Sequence, residues 1–371
     1  MTVADHLSPA ALAQAPAARD PLGPVRLWLW SVAGLIFAMV IVGGATRLTE
    51  SGLSITEWKP VAGVIPPLSE AAWLAEFEKY KQIPQYQQLF PTMTLGEFQT
   101  IFYWEWGHRI LGRVIGFAFA LPLAWFWLRG VLTRGLKWRL TGLLALGGLQ
   151  GAVGWWMVSS GLTKRVEVAP ERLMVHLLLA SITFAAIVWI AVGLKPAAAE
   201  AGRGLRAGAL GLFALVLTQI GLGALVAGSR AGLTYNDWPF MAGHLVPPMD
   251  HLARLDPWWL NFLENITLIQ FQHRLAAYAL LALALAHGGR PPQRARLESR
   301  PPRHRARRAG HDASRDRRRD PDAGGADLGG AAASGLRHDR AGHGGGPCAA
   351  TGLSFPRLIL INEACRASTH L

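Results

Sequence analysis

The chain has 371 residues, 51% of them hydrophobic, and a mean hydropathy of +0.23, a composition that agrees with a membrane protein. Its net charge of +13 is no nucleic-acid footprint, because much of it comes from sixteen Arg, with no Lys, that follow His287. Both cysteines, Cys348 and Cys365, lie in that same stretch, which excludes a disulfide framework and a CxxC metal site.

Residues 1–25 contain Pro, Ala and two Asp, are poor in Arg, and show no cleavage site after a short apolar core. They read as a cytoplasmic leader rather than a transit peptide or a cleaved signal. Hydropathy then predicts six spans, each near the roughly 20 residues that cross a hydrocarbon core. They are Arg26–Thr46, Phe102–Leu128, Trp138–Val158, Leu173–Leu194, Arg206–Gly228 and Phe262–Ala286. Basic residues gather at Arg129, Arg134, Lys137 and Arg139, at Lys195, Arg203 and Arg206, and after His287. The positive-inside tendency puts these on the cytoplasmic side together with the N-terminus, although Lys164, Arg165 and Arg172 weaken the bias from the other side. Thr94 and Glu97 form a capping box, so the second helix starts outside the membrane and carries Trp104 and Trp106 through the interface.

Two long polar loops, after spans one and five, are related in sequence. Arg47 answers Arg230, Gly52–Leu53–Ser54 answers Gly232–Leu233–Thr234, and Trp58 answers Trp238. Ala62–Gly63 answers Ala242–Gly243, and Pro66–Pro67 answers Pro247–Pro248. Each loop is followed by a His-Arg pair inside an apolar stretch, in EWGHRILGR and FQHRLAAYA. The fold expected is therefore all-α and polytopic, two pseudo-repeated four-helix halves of which the second is incomplete in this chain. The first half covers residues 26–194, the partial second half 206–287, and an Arg/Gly/Pro-rich tail 288–371.

Spans two, four and six enter from the same face, which puts His108, His176 and His273 at similar depth. Imidazoles from facing helices of a bundle can hold a haem iron between them, each with its other ring nitrogen donating to a nearby acceptor. The alternative for any one of them is a hydrogen bond to a neighbouring helix. Arg47 and Arg230 at the outer ends of spans one and five, and Arg109 and Arg274 beside the histidines, can bind haem propionates in bidentate fashion. The alternative for Arg109 and Arg274 is snorkelling to headgroups.

Glu105 stands three residues before His108 on the same helical face, where the second half has Gln270 before His273. A carboxylate at membrane depth points to function. Glu105 is thus the candidate acid, base or electrostatic stabiliser, and the second half holds a structural or electron-transfer haem; the alternatives for Glu105 are hydration near the surface or pairing with Arg109.

The segments GGATRLTESGLSITEWKPVAGVIPP, EFQTIFYWEWGHRILGR, WWMVSSGL with ERLMVHL, and NDWPFMAGHLVPP with QFQHR resemble the haem A synthase family, in its cysteine-free proteobacterial and mitochondrial type. The resemblance covers about Leu27 to His287. It implies eight transmembrane helices in two halves, in the bacterial inner membrane. It also implies oxidation of the C8 methyl of haem O, the substrate, to the formyl of haem A, with haem b as a second, iron-containing prosthetic group. It marks His108 and His176 as first-half iron ligands, Glu105 as the essential acid and His273 as a second-half ligand. Haem O synthase, terminal-oxidase assembly factors, an unidentified electron donor and the lipid bilayer are the implied partners, with a homo-oligomer left open.

The family has two more helices after the sixth, the last supplying a histidine opposite His273. Here His304, His311, His338, His343 and His370 stand in Arg- and Gly-rich sequence, and the apolar run Leu358–Ile361 is too short to span. The change near His287 reads as translation of a GC-rich gene in the wrong frame; the rival is a genuine tail that binds anionic lipid or nucleic acid nonspecifically. The rival functions are a diheme electron-carrying cytochrome b and a haem-handling scaffold for oxidase assembly.

Overall fold

A computed structural model describes residues 20–195 and 202–289; the leader up to residue 19 and the tail from residue 290 lie outside the described residues, as do both cysteines and the reading-frame question. The described residues are all-helical apart from loops and one isolated bridge, between Met241 and His244. In chain order the helices are α1 (Gly23–Leu48), α2 (Glu70–Tyr80), α3 (Pro84–Leu89), α4 (Leu95–Leu128), α5 (Arg134–Ser159), α6 (Pro170–Gly193), α7 (Arg203–Gly228), α8 (Met249–Leu252), α9 (Asn261–Glu264) and α10 (Ile266–Gly288). Five of them, α1, α4, α6, α7 and α10, are long and apolar enough to cross a membrane. The stretch read as a third span, Trp138–Val158, is helical within α5, but Gly142, Gly147, Gly148, Gly151, Gly154 and Gln150 leave it less apolar than its neighbours.

Helix ends follow local chemistry. Thr94 and Glu97 form the expected capping box at α4, Thr133 caps α5 through the Leu136 amide, and Pro170 occupies the first turn of α6. The sixth span begins at Ile266, later than the Phe262 read from hydropathy. The reason is Asn265, which breaks the helix in an extended conformation and accepts from the amides of Thr267 and Leu268.

The helix α4 is 34 residues long, about 51 Å at 1.5 Å per residue, and so exceeds a hydrocarbon core of about 30 Å. Its first turns project beyond the bundle and carry α2 and α3. Trp73, Phe77 and Tyr80, spaced along one face of α2, pack on Phe98 and Phe102 of α4, with ring centroids 4.9 Å apart for Phe77–Phe98 and 5.0 Å for Trp73–Phe102. Leu53 and Ile55 from the first loop complete this cap.

In the first half, α1 and α5 each pack on both α4 and α6, so the four helices form a ring with α4 diagonally across from α6. Away from the loops the ring closes on Trp28, Leu29, Val32, Phe119, Leu123, Leu136, Leu140 and Ile187. There the Trp28 indole N–H donates to the Ala118 carbonyl at 2.8 Å. The second half is attached through α6: α7 packs on α6, and α10 on α7. Leu225, Ala231 and Ile269 seal that joint with Met174 of α6.

The tightest approach of α7 to α6 is at Gly228, where a Cβ would lie 2.8 Å from the Pro170 Cα, a backbone atom that cannot swing aside. Gly228→Ala should therefore destabilise the fold by about 1–3 kcal/mol through overpacking. Gly44→Ala, where a Cβ meets nothing within 4 Å, should leave stability unchanged or raised. Thermal unfolding of the detergent-solubilised protein checks both; equal midpoints for the two variants would contradict the crossing.

Candidate functional site

Glu105 is 3% exposed, on a helix read as entering a membrane, and four hydrogen bonds from protein donors hold its carboxylate. The Ser54 hydroxyl and the Ile55 amide donate to Oε2, each at 2.8 Å, and the Arg109 guanidinium donates to Oε1 at 2.6 and 3.1 Å. Arg109 continues to the Ile55 carbonyl at 2.9 Å and the Glu57 carbonyl at 3.1 Å. Arg113, one turn further, donates to the carbonyls of Lys59 and Pro60 at 3.0 and 2.9 Å. The first loop is thereby stitched to α4 from residue 54 to residue 60.

The second loop is stitched to α10 by matched atoms. Arg274 donates to the carbonyls of Tyr235 and Asp237, each at 3.0 Å, and Phe240, at 2.8 Å; Tyr235 and Asp237 answer Ile55 and Glu57 in the loop alignment. Gln270, at the position of Glu105, donates to the Tyr235 carbonyl at 2.8 Å. Within this loop the Gly243 amide donates to Asp237 and holds its carboxyl below the usual carboxylate range.

Arg47 and Arg230 converge on one carboxylate between α5 and α6. Arg47 donates to Glu167 at 2.7 Å and to the Ala227 carbonyl at 3.0 Å; Arg230 pairs with Glu167 and reaches Glu50 at 2.6 Å. Arg230 and Glu50 both take left-handed backbone conformations, with φ of 53° and 55°, that turn the chain out of α7 and α1. All four arginines read as candidate propionate ligands thus have protein acceptors, and the Arg109–Glu105 pair is among them. Sequence reading overlooked Glu167, which stands in no repeat and no apolar stretch, and Glu50, which lies in the first loop at a position the repeat does not match.

The three histidines each lean on a glycine of an adjacent helix. A Cβ would come within 3.3 Å of His108 Nε2 at Gly43 of α1, 3.0 Å of His176 Cε1 at Gly154 of α5, and 3.3 Å of His273 Cε1 at Gly223 of α7. His108 and His176 thus come from the diagonal helices α4 and α6. At their level the first-half ring is open: fully buried positions run to Ala33 and resume at Thr46 on α1, stop between Glu105 and Phe119 on α4, between Leu143 and Val158 on α5, and between Pro170 and Thr183 on α6. Among the described residues no group of three or more His, Cys, Asp or Glu is placed to cage a metal ion. Two neutral imidazoles across a loosely packed bundle middle are instead the donor set of a haem iron, whose macrocycle supplies the remaining ligands. The residues present fit that group.

Removing the guanidinium in Arg274→Met would leave three loop carbonyls without their charged donor, and such hydrogen bonds contribute about 1.5–3 kcal/mol each. Limited proteolysis in the loop between α7 and α8 should accelerate roughly tenfold or more, with the first loop cut at the parent rate. Unchanged cleavage would show that the loop is held by other means.

The family model described as cytochrome oxidase assembly protein (COX15-CtaA) matches residues 26–308. A protein of Beijerinckia indica subsp. indica named Heme A synthase is 56% identical over 289 residues, 77% of this chain and 80% of the relative. Proteins of the same name from Methylobacterium sp. (strain 4-46) and Azorhizobium caulinodans are 59% identical over 273 residues and 55% over 296, covering 73% and 77% of this chain and 76% and 84% of their own lengths. No solved structure matches. A model match across all the membrane-spanning helices, with relatives this similar, places the chain in the cytochrome oxidase assembly protein family.

Proposed function

We propose that this chain is a haem A synthase of the bacterial inner membrane, which oxidises the C8 methyl of haem O to a formyl group. The observation that carries the reading is the placement of His108 and His176 on diagonal helices at the open level of the ring. The name of its relatives supplies the product, haem A, and the family resemblance supplies haem O as the substrate. Turning a methyl into a formyl removes two hydrogens and adds one oxygen, so an electron acceptor and an oxygen source must enter from outside the chain.

His108 and His176 hold the substrate's iron, and the ring of helices excludes water from the methyl to be oxidised. Glu105, one turn before His108 and fixed by four hydrogen bonds, sets a negative charge beside the site without being free to swing. His273 would hold a resident haem b, which would supply electron transfer when bound. Gln270 in place of a carboxylate beside His273 supports assigning the chemistry to the first half. Arg47 and Arg230 accept substrate propionates in exchange for Glu167, a carboxylate that they already grip one oxygen each. The matched stitching of the two loops supports descent of both halves from one unit, and residues 288–371 fit translation in another frame of a gene that encoded the remaining helices.

His108→Ala and His176→Ala should each abolish formation of haem A in membranes supplied with haem O, measured by extraction and chromatography. Parent-level conversion by both would sink the ligand assignment. Haem that binds normally but stays unconverted in the parent chain would favour the electron carrier.

Glu105→Gln is not a silent isostere here. An amide nitrogen in place of Oε2 faces the Ile55 N–H, donor against donor. Haem A formation should fall roughly 100-fold or more, the size expected on losing a preorganised charge beside a reacting centre, with bound haem nearly unchanged. Equal loss of haem and activity would assign Glu105 to folding alone.

A further inference from the structure

His176 and His273 share a seat that the loop duplication does not explain. Gln150 of α5 places its amide nitrogen 3.1 Å from Nδ1 and 3.3 Å from Nε2 of His176. Gln219 of α7 places its own 3.2 Å from both ring nitrogens of His273. In both helices the glycine under the ring follows the glutamine by four residues, Gln150–Gly154 and Gln219–Gly223, so amide and glycine lie on one face. The Oε1 atom of each glutamine is buried without a hydrogen-bond partner. His108 differs: the residue four before its glycine is Met39, and among the described residues its ring has no hydrogen bond.

We propose that Gln150 and Gln219 are positioning residues for His176 and His273, each using its amide to orient the imidazole and to partner whichever ring nitrogen does not meet iron. This rests on the reading of these histidines as haem ligands. A neutral imidazole has one N–H and one lone pair, and in the described geometry the amide N–H donates to that lone pair. Once one ring nitrogen coordinates iron, the other carries the proton and requires an acceptor. A half-turn of the amide about its terminal bond exchanges the nitrogen for Oε1, the atom that is buried without a partner. The same side chain therefore caps the free imidazole and orients the bound one. Gln150 also donates to the His176 carbonyl at 3.0 Å, which the half-turn gives up, so Gln219 turns the more freely. His108, with no such partner, is the less firmly oriented ligand of the first-half pair.

An amide that merely fills space would not tune the iron, and the distinction is spectroscopic. The full chain, purified in detergent and loaded with ferric haem b, is compared with Gln150→Glu, Gln150→Met, Gln219→Glu and Gln219→Met by haem content, redox titration and low-temperature electron paramagnetic resonance. A carboxylate acceptor on the ring N–H strengthens the imidazole as a donor, so the Glu variants should lower the midpoint potential of the haem in the corresponding half. The Met variants, similar in size but without an acceptor, should raise it and broaden the haem signal. Haem content should stay within about twofold of the parent, because the axial ligands are unchanged.

Parent potentials and signals in all four variants, with haem lost from His176→Ala and His273→Ala, would overturn the positioning role and leave the ligand reading standing. Full haem retention with parent spectra in His176→Ala and His273→Ala would overturn the ligand reading and this proposal with it. If the Met variants fail to accumulate, the Glu variants, which keep size and polarity, decide the matter.

Discussion

A carboxylate in a helix that enters a bilayer has to find its donors within the protein, and Glu105 finds them in a loop and in its own helix one turn on. That requirement organises the whole loop end. The loop must run back across α4 to present the Ser54 hydroxyl and the Ile55 amide, and Arg109 and Arg113 then satisfy the carbonyls that this path exposes. The projecting turns of α4 become a platform for α2 and α3, whose aromatic face covers the loop. His108, three residues after Glu105, inherits its position from this arrangement, so the depth of the candidate iron ligand is set by a polar constraint rather than by apolar packing.

The second half shows what happens when the charge is absent. Gln270 accepts from no loop amide; it donates to the Tyr235 carbonyl instead, and the carbonyl contacts of Arg274, with the Tyr235–Thr267 and Trp238–Tyr278 side-chain hydrogen bonds, hold the rest of the loop. The stitching is preserved while its polarity is inverted. A neutral amide at that depth costs less to bury than a carboxylate. Glu105 persists in the first half with an ion pair and two neutral donors, an expensive arrangement for a task that Gln270 performs without charge. That excess is the physical ground for linking Glu105 to chemistry, and the second half to holding a group in place.

Much of this was legible in the sequence. The spans, the capping box at Thr94, the three histidines and the paired loops all rest on apolar length, on local hydrogen-bonding rules or on repetition, which a linear reading can see. The helices α2 and α3 were overlooked although Trp73, Phe77 and Tyr80 keep helical spacing, because the segment is short and polar between long apolar runs. The break at Asn265 was hidden by the apolar residues on either side. The partners of the arginines could not be read, since Glu167 and Glu50 meet them only across the fold. The seats of His176 and His273 left one trace, a glutamine within an apolar stretch four residues before a glycine, and its meaning appears only once the neighbouring helix is in place.

The convergence of Arg47 and Arg230 on Glu167 bears on how the halves are joined. These arginines occupy equivalent places in the two loops, yet their shared partner belongs to neither loop; it lies in the connection between α5 and α6, just before α6 begins at Pro170. Arg47 of the first loop and Arg230 of the second, both gripping Glu167, tie the halves together at the loop end, while Gly228 against Pro170 fixes the approach of α7 to α6 close by. Any anion that enters between the two guanidinium groups has to compete with Glu167, and success loosens the tie between the halves as it binds. The joint between the halves at the loop end therefore depends on the charge balance among these three side chains.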